Sequence, residues 1–446
     1  MKKPLIIIIT VGLAALHFST QAQTLQSSEV DYYNGIIGDN VIIRADLDMD
    51  ASLIYYTDAN NRSYFLYRMS GNPNTTYQYL WPNHTNITNL WYIINDMEIN
   101  KDACFFCGAK VTRNQNNGFD TIGIVGRIDM PNAINNYTNL GMSICPIPNT
   151  TVLTQMDISN NSSAPQICIA GVERLTQTVI SCVAFVEWQN LWKYNVFRVF
   201  NTDETLTDIT FTNDGNKVVA VSRLNNEHFK FVLRCDYASN LFVFSPIPPP
   251  SSGPGGFSRR FYFNTSGLTL LSSTSTNPTW HDNDVTIRIV SHIDPNYITV
   301  AYECVDNTKV CESQHQVAMF KVDISNVPLG YSMSIDKQQM VHGYFNEDAT
   351  FVDMQYWSSS EDRFALLHRL DGSPNNLSSL SFPVWDSYGH MPALFSDQEI
   401  IQSIDYKYAA SGGQLFMGGK LKPGNEILYS NQVIGFLDVS CHMTRP

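Results

Sequence analysis

The chain has 446 residues, a formal net charge of −13, and 15% charged against 12% aromatic side chains. An average domain carries about 25% charge, and an acidic surface of this kind repels nucleic acid and anionic lipid, so neither is expected as a partner. The length suggests two or three domains unless an internal repeat builds one large structure.

The N-terminus, MKKPLIIIITVGLAALHFSTQAQ, opens on two lysines, runs through a short apolar stretch and ends on Thr20-Gln21-Ala22 ahead of Gln23. That is the pattern of a secretory signal peptide over residues 1–22. The apolar run is shorter than the ~20 residues a membrane-spanning helix needs, and no later segment approaches that length. The first cysteine is Cys104, so no N-terminal lipid anchor is expected. The mature chain should be released into the periplasm or medium without a membrane span.

A loose repeat follows. Four segments share the order apolar, any, Asp or Ser, apolar, any, apolar: Ile94–Ile99, Leu206–Phe211, Phe351–Tyr356 and Ile401–Tyr406. Each leads through polar residues into a second apolar run, namely ACFFCGAK, KVVAVSRL, RFALLHRL and QLFMGGKL, rich in strand-forming residues. A third run closes several units on an aspartate, at Asp129, Asp236, Asp323 and Asp438. Weaker copies fall at 37–70, 166–201 and 284–324, which makes seven units. No segment carries a helical period with caps. Short, nearly continuous apolar strands arise where both sheet faces are covered, as in stacked four-stranded blades, and a closed ring leaves no open edges. The expected fold is all-β: one seven-bladed β-propeller over residues 23–446. The alternative is two β-sandwich domains divided at SPIPPPSSGPGG, residues 245–256, a stretch read here as an inter-blade loop.

CFFC, from Cys104 to Cys107, poses a choice between redox or metal chemistry and a strand. Strand positions three apart face opposite sides with Cα atoms about 10 Å apart, beyond the ~7 Å reach of a disulfide. A redox pair needs a helix N-terminus to lower the thiol pKa, and a zinc site needs a second cysteine or histidine pair. A structural role is expected, with no metal and no cofactor. CVDNTKVC, by contrast, reads as a hairpin turning at Asn307-Thr308, which would set Cys304 opposite Cys311 as a disulfide candidate.

No G-x-S-x-G, H-E-x-x-H, P-loop or calcium loop occurs. TNDGNKVVAV, residues 212–221, is similar to the blade hairpin of TolB-like propellers, where Asp-Gly makes a tight turn. On the signal peptide, the NDMEI and CFFCG unit and strands ending GRID or GFLD, the chain resembles the uncharacterised secreted propeller proteins of Bacteroidetes. The resemblance implies a fold and a compartment and carries no activity.

Asp96, Asp208 and Asp353 recur at one repeat position, either as a ring of carboxylates near a channel mouth or as turn aspartates accepting backbone N–H bonds. Candidate binding residues are Trp81, in QYLWPNHTN, and Trp280 with His281, in WHDND, since they sit in expected loops. The longest of those loops are 71–92, 131–165, 241–283 and 325–347. A binding or scaffold protein that recognises a glycan, peptide or protein partner through loops fits best. The alternative is a hydrolase or lyase with carboxylates in the central cleft.

Overall fold

The computed structural model describes residues 23–436 apart from 47–50, 61, 70–75, 81–89, 101–102, 117, 131–141, 160–163, 176–177, 198–203, 225–226, 242–260, 265–285, 307–313, 328–332, 343–348, 358–362, 371–377, 382, 384, 386–392, 395–398, 410–411 and 423. Its strands form seven four-stranded antiparallel sheets. After β1 (Gln23–Ile37), sheet I holds β2 (Asp39–Asp46), β3 (Ala51–Thr57), β4 (Ser63–Met69) and β5 (Thr76–Leu80). Sheet II holds β6 (Leu90–Asn100), β7 (Ala103–Arg113), β8 (Phe119–Asp129) and β9 (Met142–Pro146). Sheet III holds β10 (Thr150–Ser159), β11 (Gln166–Leu175), β12 (Thr178–Trp188) and β13 (Trp192–Phe197). Sheet IV holds β14 (Glu204–Phe211), β15 (Lys217–Leu224), β16 (Glu227–Tyr237) and, after the single turn α1 (Ala238–Leu241), β17 (Phe261–Asn264). Sheet V holds β18 (Ile287–Ser291), β19 (Tyr297–Asp306), β20 (Gln314–Asp323) and β21 (Ser334–His342). Sheet VI holds β22 (Ala349–Trp357), β23 (Arg363–Leu370), β24 (Ser378–Ser381) and β25 (Ala393–Leu394). Sheet VII holds β26 (Glu399–Ala409), β27 (Gly412–Leu421) and β28 (Glu426–Phe436), and β1 adds to β28 as its fourth strand.

The first strands touch in a cycle: β2 with β6, β6 with β10, β10 with β14, β14 with β18, β18 with β22, β22 with β26, and β26 with β2. Seven apolar layers fill the spaces between successive sheets, each drawing buried residues from two sheets. This explains the continuous apolar runs. In β3, Leu53 and Tyr55 enter the layer shared with sheet II, while Ile54 and Tyr56 enter the layer shared with sheet VII. A residue on either face is therefore committed to packing, worth roughly 1.5–3 kcal/mol for each large side chain fully buried.

CFFC obeys the same alternation. Cys104 and Phe106 pack between sheets I and II, and Phe105 and Cys107 between sheets II and III. Both thiols are fully buried, and burial drives both well above the usual thiol pKa, so neither supplies the thiolate that redox or metal chemistry needs.

Three expectations need correction. The stretch 245–256 does not link two sheets: β16 and β17, on either side of it, pair within sheet IV. Each unit lacked one strand in the repeat: β5, β9, β17 and β21, fourth strands of their sheets, all fall inside segments expected as loops, and so does β10, the first strand of sheet III, whose fourth strand β13 lies in the expected copy at 166–201. Outer strands bury less and carry more polar side chains, so Ser334, Ile335 and Asp336 of β21 are all exposed and give no apolar signal. Third, β19 and β20 pair out to Asp306↔Gln314, which sets Cys304 across from Gln316 instead of Cys311. The hairpin closes through a longer connection than a two-residue turn; Cys311 lies outside the described residues. The Asp214-Gly215 turn in TNDGNKVVAV is as expected, with Gly215 at φ 66° and Asp214 Oδ1 accepting from Asn216 N–H at 3.0 Å.

Candidate functional site

The repeat position that carries Asp96, Asp208 and Asp353 is a β-bulge. In sheets II, III, IV, VI and VII, the first strand pushes out one residue (Asn95, Thr154, Thr207, Val352 or Gln402), and the next residue turns toward the ring interior. The bulge presses the first strand onto the second. A Cβ at Gly108 or Gly419 would run into the Ile93 or Ile400 carbonyl, which is why glycine sits in CFFCG and FMGG.

Five first strands align on this bulge, and the N–H bonds of Ile289 to Asp208 and of Ile43 to Ser403 place sheets V and I beside them, which gives two stacked tiers. One contains Ile42, Asp96, Gln155, Asp208, Arg288, Asp353 and Ser403; the other, two residues on, contains Arg44, Glu98, Asp157, Thr210, Val290, Gln355 and Asp405. Together with Lys407, Tyr356 and Tyr406, most of these side chains line a cavity of about 490 Å³. Its wall carries six carboxylates (Asp96, Glu98, Asp157, Asp208, Asp353 and Asp405) and three cations (Arg44, Arg288 and Lys407).

The tiers bolt the sheets together. Asp96 Oδ1 accepts from its own neighbour Met97 N–H at 2.9 Å and Oδ2 from Met156 N–H of sheet III, also at 2.9 Å. Asp208 does the same with Ile209 N–H and with Ile289 N–H of sheet V, both at 2.8 Å. Asp157 accepts from Ile158 N–H and, in sheet IV, from Phe211 N–H, each at 2.7 Å. Asp405 accepts from Ala45 N–H and Ser403 from Ile43 N–H across the junction of sheets VII and I. Arg44 donates to the Met97 carbonyl at 2.6 Å, Arg288 to the Val352 carbonyl at 3.1 Å, and Gln355 to the Ile404 carbonyl at 3.4 Å. All seven junctions are thus spanned by a tier side chain. The two readings of the recurring aspartate merge: it does accept backbone N–H bonds, though from a bulge and not a turn, and it lines the cavity while doing so.

Burial sets the proton affinities. It raises Asp96, Asp157 and Asp353 above the usual carboxylate range, Asp208 to about 7 and Glu98 to about 8, with N–H donors or nearby cations opposing it in each case. Glu98 keeps 26% of its side-chain surface open and lies 3.2 Å from Arg44 Nε, while Arg44 Nη2 lies 2.7 Å from Asp96. For Arg44 and Lys407, burial opposes the charge, but Glu98 and Asp96 around the first and Asp405 and Glu98 around the second outweigh it, so both cations are held more firmly charged than in water. Lys407 Nζ lies 3.3 Å from Asp405. Buried His292, also in the cavity lining, sits with Nε2 2.5 Å from Thr299 Oγ1 and its ring against Tyr356.

Trp81, Trp280 and His281 lie outside the described residues, as does Cys311. Among the described residues no three His, Cys, Asp or Glu side chains are arranged to hold a metal ion, no disulfide occurs, and no helix is long and apolar enough to cross a membrane. Arg44, Glu98 and Lys407 were not singled out in the sequence, yet each left a trace: a charged residue inside an apolar strand, in VIIRAD, NDMEI and IDYKY.

No family model matches the chain, and no curated protein does. Solved structures do. The chain is similar to the BP39L lectin from Burkholderia pseudomallei (11% identity, TM-score 0.48, 89% of this chain and 96% of that one). It is also similar to prolyl oligopeptidase B from Galerina marginata (9% identity, TM-score 0.45, 85% of this chain), of which it spans about half, 47%. A third similarity is to the β-propeller domain of the Trilobed protease from Pyrococcus furiosus (10% identity, TM-score 0.35, 80% of this chain and 99% of that one).

Proposed function

We propose that this chain is a seven-bladed β-propeller, exported under the signal peptide of residues 1–22, that binds a glycan, peptide or protein partner without cleaving it. The blade count is supported by seven four-stranded sheets with their first strands in cyclic contact. Binding over catalysis is supported by one observation: Asp96, Asp157 and Asp208 each commit both carboxylate oxygens to main-chain N–H groups of two sheets. A general acid or base must exchange its proton with a ligand in the transition state. A carboxylate clamped between sheets would have to break the ring's own bonds to do so.

A second reading, hydrolysis or elimination with Glu98 as proton donor, is favoured by the proton affinity of that residue. Burial pushes it up to about 8, the direction a proton donor at neutral pH needs, in a cavity it shares with Asp405 and Asp96. Glycan and peptide arrays, with every incubation also assayed for cleavage, separate the two. Saturable binding with intact ligand supports the first reading. Product formation that disappears in Glu98→Gln establishes the second, and an absence of both overturns the two together.

A further inference from the structure

The charges on the cavity wall are unevenly shared. Six carboxylates face three cations, an excess of three negative charges when all are ionised. Each cation already serves two carboxylates. Arg44 lies 2.7 Å from Asp96 and 3.2 Å from Glu98, Lys407 lies 3.3 Å from Asp405 and is drawn by Glu98 as well, and Arg288 acts on both Asp208 and Asp353. Asp157 is held by uncharged donors, the N–H groups of Ile158 and Phe211 and the Thr210 hydroxyl. Two carboxylate oxygens are left over. Asp353 Oδ1 accepts from Met354 N–H at 2.8 Å, yet no described residue donates to its second oxygen, whereas those of Asp96 and Asp208 each take an N–H from the next sheet. Glu98 gives one oxygen to Arg44, and no described residue donates to the other.

The wall also has an apolar, solvent-facing part. Asn213 and Ile293, which follow the first strands β14 and β18, line the cavity and are exposed, Ile293 with 48% of its surface open, and Asn213 Nδ2 donates to the Ile293 carbonyl at 3.3 Å. We infer that this cavity binds a primary ammonium or guanidinium group on an unbranched apolar stem, the chemistry of a lysine or arginine side chain in a partner polypeptide or of a free alkyl amine. The inference rests on the binding reading above and narrows it to a place and a ligand class. Such a head group brings several N–H donors to the open oxygens of Asp353 and Glu98, and its charge offsets part of the excess. Its stem can lie against Ile293, as the stems of Lys and Arg lie along apolar surface while the charged end stays in a polar one. A volume of about 490 Å³ falls within the ~300–1,000 Å³ of small-ligand sites. A bare metal ion fits less well, because among the described residues no three of these carboxylates converge as metal ligands. The acidic chain as a whole also draws cations before contact.

The test uses the mature chain and short, end-blocked peptides carrying a neutral fluorophore, identical except for one central residue: Lys, Arg, norleucine or Glu. Binding is read by fluorescence anisotropy at low salt, with cadaverine and agmatine as unlabelled competitors. The Lys or Arg peptide should bind at least about tenfold more tightly than the norleucine and Glu forms. Asp353→Asn and Glu98→Gln keep the shape of each side chain and lose its charge, and each should remove about tenfold of that preference. Ile293→Lys changes an exposed position that the fold does not depend on and sets a rival cation beside the cavity, so it should weaken the basic peptides comparably even where a wall variant fails to fold. Competition by cadaverine or agmatine at the peptides' own concentrations would make a free amine the ligand, and competition only far above them would make it a residue of a partner chain. Lys and Arg peptides that bind no better than the norleucine form, or that bind all three variants like the parent, would overturn the inference. A glycan or neutral peptide found to bind in their place would leave the broader binding reading intact.

Discussion

Asp208 offers the sharpest test of the tier bolts, because its effect should change with pH in a direction that packing cannot imitate. In the folded chain its proton affinity rises to about 7 by burial, against 3.8 for an ordinary aspartate. A carboxyl group whose folded pKa is raised favours the native state most in acid, and the advantage fades as pH climbs toward the folded value. From pH 5 to pH 7 two decades of proton activity are crossed at ~1.4 kcal/mol each, so this one group should cost the protein about 3 kcal/mol of stability over that interval. Asp208→Asn removes the titration. It keeps one oxygen to serve either Ile209 or Ile289 N–H and leaves the other short of an acceptor, about 1–3 kcal/mol at pH 5. The gap between parent and variant in urea unfolding should therefore be widest at pH 5 and close, or reverse, by pH 8. A gap that stays constant or widens with pH would refute the burial of Asp208 as an ionisable bolt.

Arg44→Met should be among the most damaging single changes in the ring, because it strands Asp96 and Glu98 without their cation; a loss of about 3–5 kcal/mol is expected from chemical denaturation, and a loss below 1 would show that the pair is solvated. Cys104→Ser and Cys107→Ser should each cost roughly 1–3 kcal/mol for a hydroxyl in a dry layer. Neither thiol should react with Ellman's reagent in the native state, and insulin reduction lost in the variants would contradict a structural role. Limited proteolysis within 245–256 should yield two fragments that co-elute under native conditions, since the cut falls between two strands of one sheet; separate folded halves would contradict the single ring.

The sequence was most legible where burial is symmetric. β3, β7, β11 and β15 are covered on both faces, so their apolar runs announce strands whatever the register. The repeat of Asp96, Asp208, Asp353 and Ser403 was visible because one bulge recurs in their strands, while Gln155 and Arg288 hold equivalent places with different side chains and so escaped the pattern. Outer strands such as β21 escaped because they are solvated and carry no apolar period. The cavity was half legible. Asp96, Asp208 and Asp353 appeared as a repeat and Asp157 and Asp405 did not; Arg44, Glu98 and Lys407 each come from a different sheet, and nothing in one dimension says that those three positions face a common space. The register of β19 and β20 was misread because the two cysteines of CVDNTKVC imitate the flanks of a tight turn, whereas pairing follows the apolar pairs Val300↔Phe320 and Ile298↔Val322, which are buried together in one layer.

Binding without turnover can be examined in one experiment on any ligand the arrays yield. The ligand is incubated with the parent chain and with Glu98→Gln at neutral pH, and both the bound fraction and the chemical identity of the recovered ligand are followed over time by mass spectrometry. If the channel carboxylates serve the ring, the ligand returns intact from both proteins and Glu98→Gln binds as the parent does or loses affinity alone. Time-dependent cleavage by the parent, abolished in Glu98→Gln with the fold unchanged, would contradict it.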